Sequence, residues 1–201
     1  TANRRQFLKQ TGAVLGTAAW AGPAGRAMGA NERIRLGMIG PGGHGSGLLR
    51  SFAGQPDVEV AYVCDVDAKR LTAAAQAVEK ATGKAPQAVQ DMRRIFDDDA
   101  VDAVVIATPD HWHAPATILA CDAGKHVYVE KPCAHNIREG RLMIEAARRN
   151  RRVVQVGTQT RSVEHVQRAM ELLHSGAIGE VLVAKVWNSQ LRATIGHARP
   201  S

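Results

Sequence analysis

Short apolar runs separated by longer mixed stretches recur along the chain from residue 34 to residue 156. The runs lack helical spacing, which is typical of parallel strands that are buried on both faces. Because helical segments follow most of the runs, the order indicates an α/β fold with a doubly wound parallel sheet. The pattern predicts strands over residues 34–39, 58–64, 87–90, 101–107, 126–129 and 153–156.

Glycines and capping residues mark the ends of the predicted helices. Asp91 and Asn136 stand at helix starts, while Gly83 and Gly124 follow helix ends. The predicted helices cover residues 43–53, 68–82, 92–96, 114–123, 137–149 and a segment that ends near residue 174. Beyond it, a rough alternation of apolar and polar residues predicts a further strand over residues 181–187.

The first thirty residues do not follow this pattern. The paired arginines Arg4 and Arg5 precede a mildly apolar run over residues 11–22 and then a stretch of small residues. That order resembles a twin-arginine export signal, and the run is too short for a stable membrane anchor. We therefore expect twin-arginine export machinery as a partner and a periplasmic or secreted location. An amphipathic first helix of the domain is the alternative.

Charge and cysteine usage exclude several classes of protein. The formal net charge is +7, but four basic residues precede Glu32 without an acidic one. The other 22 basic residues face 19 acidic residues, so we expect no nucleic-acid partner. Cys64, Cys121 and Cys133 are scattered without disulfide or zinc spacing, and we interpret them as buried thiols.

Two clusters of metal-binding residue types occur in the sequence. Three adjacent aspartates at residues 97–99 cannot all face one ion, and they suit a turn. His111 and His113 lie two residues apart, but no third ligand is spaced nearby. We predict no metal site, with a metal cluster as the alternative at each place.

A glycine-rich turn links the first strand to the first helix and organises the rest of the prediction. It matches the pattern G-x-G-x-x-G, which allows a tight turn, a close approach to a pyrophosphate and close packing of helix on strand. The helix start would direct free N–H groups at the phosphates. A structural glycine loop is the alternative. The candidate cofactor-binding residues in the turn are Gly40, Pro41, Gly42, Gly43, His44 and Gly45.

Asp65 ends the second predicted strand, 20 residues after Gly45. A carboxylate at this place in a Rossmann-type unit binds the ribose hydroxyls of the adenosine. The alternative is that Asp65 caps the next helix, a role for which Asp67 competes. A carboxylate repels a 2′-phosphate unless Lys69 or Arg70 turns toward it, so NAD is favoured and NADP stays possible.

Two further segments stand at strand ends, where ligands bind in such sheets. Residues 108–113 read Thr-Pro-Asp-His-Trp-His, and residues 130–132 read Glu-Lys-Pro. A partly desolvated lysine beside a nicotinamide suits proton transfer, which makes Lys131 a candidate. An exposed ion pair before a proline is the alternative for Glu130 and Lys131.

Together these motifs resemble the glucose-fructose oxidoreductase, inositol dehydrogenase and rhizopine-catabolism family (Gfo/Idh/MocA) over about residues 32 to 187. The resemblance implies a Rossmann domain that holds NAD or NADP and a second domain that covers a sugar or polyol. It implies that Lys131 transfers the proton of the substrate hydroxyl, that Glu130 helps to position the nicotinamide ribose, and that other residues line the cofactor. Those lining residues are Thr108, Pro109 and His113. Asp110 and Cys133 depart from the family's usual Asn and aliphatic residue.

These motifs lead to one expected activity and two alternatives. We expect an NAD(P)-dependent oxidoreductase that transfers a hydride between nicotinamide and a sugar, polyol or sugar derivative. The alternatives are a glycoside hydrolase of the same family that acts by transient oxidation, and a non-catalytic nucleotide-binding protein.

The sequence also divides into expected domains. We predict a signal segment over residues 1–30, a Rossmann domain over residues 31–157, and a linking helix with the first strand of an incomplete, truncated substrate domain over residues 158–201. We expect the sequence to be a fragment of a longer, homo-oligomeric protein, with a genuine truncation as the alternative.

Overall fold

A computed structural model describes residues 33–187, and within them it contains one six-stranded sheet with helices between the strands. The strands are β1 (Ile34–Ile39), β2 (Val58–Cys64), β3 (Gln87–Val89), β4 (Ala103–Ile106), β5 (His126–Glu130) and β6 (Val154–Gly157). The helices are α1 (His44–Ala53), α2 (Ala68–Thr82), α3 (Arg93–Phe96), α4 (His113–Asp122), α5 (Ile137–Asn150) and α6 (Glu164–His174). The described residues divide into two compact units between Gln155 and Val156.

The sheet has the strand order β3-β2-β1-β4-β5-β6 and is parallel, which confirms the predicted Rossmann-type fold class. The chain builds outward from β1 through β2 to β3 and then returns to place β4 on the other side of β1. This reversal puts a crevice at the carboxyl ends of β1 and β4. Ile39 at the end of β1 is level with Cys64 of β2 and Ile106 of β4.

The central strands are buried because both of their faces are covered. Met38, Val104, Val105 and Ile106 have no exposed surface, as the unbroken apolar runs predict. Cys64 and Cys121 are buried as predicted, whereas Cys133 is half-buried. Burial raises the pKa of the Cys64 thiol to about 12, so this thiol stays protonated and unreactive at neutral pH.

Helix ends lie close to the predicted positions because local side chains fix them. Asp67 Oδ1 accepts hydrogen bonds from the backbone N–H groups of Lys69 and Arg70 at the start of α2. Gly83 follows α2 in the left-handed conformation, with a φ of 73°. The side chain of Asn136 accepts a hydrogen bond from Glu139 N and caps α5.

Two local predictions differ from the structure. A single 3₁₀ turn, Asp110–Trp112, separates the loop after β4 from α4, and the sequence pattern did not predict it. The strand predicted over residues 181–187 is absent: the structure has neither helix nor strand there, and Val183 and Val186 are exposed. An alternating pattern forms a strand only when a neighbouring strand satisfies its backbone, and within residues 33–187 no strand pairs with this segment.

The predictions of an export signal and of domain boundaries are not tested by the structure. The predicted export signal falls in residues 1–32, which the structure does not describe, and the predicted domain boundaries stay predictions. Among residues 33–187, no helix is both long and apolar enough to cross a membrane. In the same part of the chain, no three side chains of His, Cys, Asp or Glu are grouped to hold a metal ion.

Candidate functional site

The turn after β1 is held tightly against the end of β4. Gly40 has a φ of 78°, a conformation that favours glycine, and its N–H donates to the Cys64 carbonyl at 2.9 Å. A Cβ atom at Gly40 would lie 2.8 Å from Thr108 N and 2.9 Å from Ala107 O. These neighbours are backbone atoms that cannot rotate away, so the first glycine of the motif is required by both conformation and space.

The third glycine of the motif brings α1 onto the same turn. A Cβ atom at Gly45 would overlap the Gly40 carbonyl oxygen and lie 3.0 Å from Met38 Cε. Gly43, which precedes α1, has a φ of 49° and open space around the position of a Cβ atom. In the described part of the chain no side chain caps α1, and the first turn of this helix carries no acidic residue. The start of this helix is therefore suited to an anionic group such as a pyrophosphate.

Asp65 lies where β2 ends, beside the glycine turn, and it does not cap α2. Its Oδ1 accepts a hydrogen bond from Asp67 N at 2.9 Å, while Asp67 provides the cap. The Arg70 side chain reaches back over the turn, so a Cβ atom at Gly42 would lie 3.1 Å from Arg70 Cδ. Arg70 Nε is also 3.8 Å from Asp67 Oδ2. A carboxylate and a guanidinium thus flank the turn on its β2 side.

The segment after β4 reaches both the glycine turn and the end of β5. Thr108 Oγ1 is buried and has no hydrogen-bond partner among the described residues. His113 is 2% exposed, and its Nε2 lies 2.8 Å from Thr108 O while its Nδ1 lies 2.6 Å from Pro132 O. His113 therefore fastens the two strand-end segments to each other, and Pro109 precedes the 3₁₀ turn at the surface.

Glu130 is a buried carboxylate at the end of β5, 4% exposed. Its Oε2 accepts a hydrogen bond from Lys131 N at 3.2 Å, and its Oε1 accepts one from the Tyr128 hydroxyl at 3.4 Å. His44 Nε2, from the glycine turn, lies 3.3 Å from the same Oε1. Burial raises the pKa of Tyr128, and the Glu130 carboxylate raises it further, so this phenol stays a neutral donor. The Lys131 side chain is exposed.

The structure thus brings the predicted site residues to one edge of the sheet. Direct contacts join Gly40 to Thr108, His44 to Glu130, and His113 to Pro132. Within residues 33–187, the close packing at Gly40 and Gly45, a helix start without a side-chain cap and a buried hydroxyl without a partner together fit a dinucleotide. Sequence reasoning missed the contact between His44 and Glu130 and the role of Tyr128, because no periodic pattern reports contacts between distant strand ends.

Comparison with known proteins gives a family match over this region. The model of the Gfo/Idh/MocA family, described as an oxidoreductase family with an NAD-binding Rossmann fold, matches residues 34–158. A glycosyl hydrolase family 109 protein of Saccharopolyspora erythraea is 33% identical over 163 residues, which are 79% of this chain and 35% of that protein. The chain therefore spans about a third of the length of the curated relatives that it matches.

Solved structures of dehydrogenases share the fold. The WlbA dehydrogenase of Bordetella pertussis, in complex with NADH and UDP-GlcNAcA, superposes with a TM-score of 0.63 at 27% identity, over 72% of this chain and 43% of that one. The myo-inositol 2-dehydrogenase of Lactobacillus plantarum superposes with a TM-score of 0.66 at 23% identity, over 75% of this chain and 43% of that one. At that lower identity the second match shows the fold alone.

Proposed function

We propose that this chain, which belongs to the Gfo/Idh/MocA oxidoreductase family and carries its NAD-binding Rossmann fold, takes part in hydride transfer. The hydride would pass between a nicotinamide cofactor and a hydroxyl-bearing carbon. The substrate class is a sugar, a polyol or a sugar derivative. The observation that carries the proposal is the set of contacts that join the glycine turn to Thr108 and Glu130 at one edge of the sheet.

In this proposal the described residues hold the cofactor along that edge. Gly40 and Gly45 allow the turn to pack closely on β4 and α1, and Gly43 has open space around it. With Pro41, Gly42 and His44, these residues would bind the pyrophosphate at the start of α1. Asp65 would bind the adenosine ribose, and Thr108 Oγ1 would gain the hydrogen-bond partner that it lacks among residues 33–187. The remaining candidate contacts are Pro109, His113 and Glu130. The bound nicotinamide would accept or return the hydride.

Lys131 is the residue that we propose for proton transfer. Its Nζ would accept the hydroxyl proton as the neighbouring carbon loses its hydride, and it would return that proton in the reverse direction. Its backbone N–H donates to the buried Glu130 carboxylate, which fixes the segment that carries the side chain. Lys131 is thus the catalytic residue of the proposal, and Glu130 supports its placement.

Exchange of Lys131 for methionine tests this assignment. We expect Lys131→Met to lower turnover by at least about a hundredfold and to leave NADH affinity within about twofold of the unaltered protein. Lys80→Met, at an exposed position in the last turn of α2, is the matched control and should change neither quantity. A similar loss of NADH affinity and turnover in Lys131→Met would show that Lys131 is structural instead.

A second candidate function is glycoside hydrolysis by transient oxidation. The similarity to a glycosyl hydrolase family 109 protein favours this candidate. In that case the hydride returns to the same substrate molecule, so no net NADH forms. The purified protein incubated with NAD and a panel of sugars and glycosides separates the two: accumulating NADH supports the dehydrogenase, and sugar release without NADH supports the hydrolase.

We further propose export by the twin-arginine route to a periplasmic or secreted location, and a homo-oligomeric full-length protein. The paired residues Arg4 and Arg5 motivate the first of these proposals. Changing both arginines to lysine should retain the protein in the cytoplasmic fraction. Export at the unaltered level would contradict the proposed route, and a monomer in size-exclusion chromatography would contradict the proposed assembly.

A further inference from the structure

One side-chain pair connects the glycine turn to the Glu130 segment. His44 is the first residue of α1, and its Nε2 lies 3.3 Å from Glu130 Oε1. The His44 side chain is 54% exposed, whereas the Glu130 side chain is 5% exposed. A surface imidazole therefore contacts a carboxylate that has almost no access to water, across the edge at which the cofactor is proposed to bind.

The other two groups that contact this carboxylate are neutral donors, Lys131 N and the Tyr128 hydroxyl. Their distances, 3.2 Å and 3.4 Å, are long for hydrogen bonds to a charged acceptor. A buried carboxylate is costly unless a positive charge or strong donors compensate it. Of these three contacts within residues 33–187, the one with His44 can supply a positive charge.

We propose that His44 is a positioning residue that, when protonated, holds Glu130 against the glycine turn and thereby sets the affinity for the nicotinamide cofactor. The inference rests on the proposed function, because it assigns a pH response to the same cofactor site. The imidazolium attracts the carboxylate, whereas the neutral ring can still donate one hydrogen bond from Nε2. Cofactor affinity therefore falls as the pH rises, without being abolished.

Other ionisable groups surround this pair and must be separated from it. Arg70 of α2 lies over the turn and stays charged at every relevant pH, and Tyr128 stays neutral because its pKa is raised. Further ionisable groups on the adjoining strand-end segments are Cys64, Asp65, Asp67, Asp110, His111, His113, Lys131 and His135. A pH response that belongs to any of these groups persists when His44 is changed, so His44 variants identify its source.

The test is a fluorescence titration of the purified protein with NADH, repeated at pH values from about 6 to about 8.5. His44→Gln keeps an N–H donor but removes the charge, Glu130→Gln removes the carboxylate, and the double variant completes a cycle. We expect the unaltered protein to lose about three- to tenfold in affinity over this range and each single variant to lose less than about twofold. His174→Gln, at an exposed position at the end of α6, is the control and should retain the full response.

The outcomes separate this inference from the proposed function. If His44→Gln keeps the full pH response, or if the response persists in Glu130→Gln, His44 does not act through Glu130 and the inference is overturned. If the unaltered protein binds no NADH at any pH, the proposed function fails and takes the inference with it.

Discussion

Replacement of Gly45 by alanine tests the geometry on which the proposed cofactor site depends. The added Cβ atom would overlap the Gly40 carbonyl oxygen and lie 3.0 Å from the buried Met38 Cε. Neither obstacle can rotate into solvent, so α1 must move away from the turn. Gly47 lies on the same helix, and a Cβ atom there meets nothing within 4 Å. The two substitutions are chemically identical and differ only in what surrounds the new methyl group.

The expected magnitudes have opposite signs. Gly47→Ala should raise the free energy of unfolding by about 0.4–1 kcal/mol, because alanine restricts the unfolded chain. Gly45→Ala should lower it by about 1–3 kcal/mol, the usual cost of forcing an extra methyl group into a packed site. Because the displaced helix start also carries the free N–H groups, Gly45→Ala should weaken NADH binding at least about tenfold. Gly47→Ala should leave NADH binding unchanged.

Urea unfolding and NADH titration of the two variants are the measurements. Gly43→Ala is a useful third variant, because Gly43 has a φ of 49° but open space around it. Gly43→Ala should cost about 1–3 kcal/mol from backbone strain alone. If Gly45→Ala equals Gly47→Ala in both stability and NADH affinity, the turn is not packed as described, and the proposed pyrophosphate site loses its structural basis.

Three further predictions test the cofactor preference, the buried thiols and a helix cap. Asp65→Ala should weaken NAD binding at least about tenfold but NADP binding much less, because Arg70 remains to bind the 2′-phosphate. Equal losses of affinity for NAD and NADP in two parallel titrations would contradict the assignment of Asp65 to the ribose. With a thiol reagent at about pH 8, Cys133 should react in the folded protein and Cys64 should not, because burial raises the pKa of Cys64 to about 12. Equally fast modification of both cysteines, measured by mass spectrometry, would contradict the described core. Asn136→Ala should lower the free energy of unfolding by about 1 kcal/mol in urea titrations, through loss of the bond from Glu139 N, and unchanged stability would show that the cap is dispensable.

The central strands could be predicted because they are buried on both faces. The apolar run over residues 58–64 coincides with β2, in which the last five of the seven residues are buried. The run over residues 101–107 is longer than β4, Ala103–Ile106, because Val101 is buried in the turn that precedes the strand. Apolar composition reports burial, and it therefore marks strand ends only where burial and backbone pairing end together.

The failed strand over residues 181–187 shows the limit of such patterns. A run with several valines favours extended backbone, but a strand also needs a hydrogen-bonding neighbour, which a local pattern cannot reveal. Within the described part of the chain, this segment has no such neighbour. The 3₁₀ turn at Asp110–Trp112 was missed for a related reason, since it is too short to show periodicity.

The location of the candidate site could be predicted, but its internal contacts could not. Parallel strands place their carboxyl ends at one edge, so the glycine turn, Asp65 and Glu130 had to come together. The approach of His44 to Glu130 depends on how α1 seats on the turn, which only the packing at Gly45 decides. Similarly, the pattern could name Arg70 as a neighbour of the cofactor but not its position over Gly42.

Hydrogen–deuterium exchange with and without NADH tests the central claim, that the strand-end segments of this sheet hold the nicotinamide cofactor. We predict that NADH slows exchange in residues 40–45, 108–113 and 130–132, which the described contacts join at one edge. The opposite edge, where Lys125 Nζ donates to the Asp98 carbonyl, should exchange equally with and without NADH. Binding of NADH without protection of residues 40–45, or with protection centred on the opposite edge, would contradict the account.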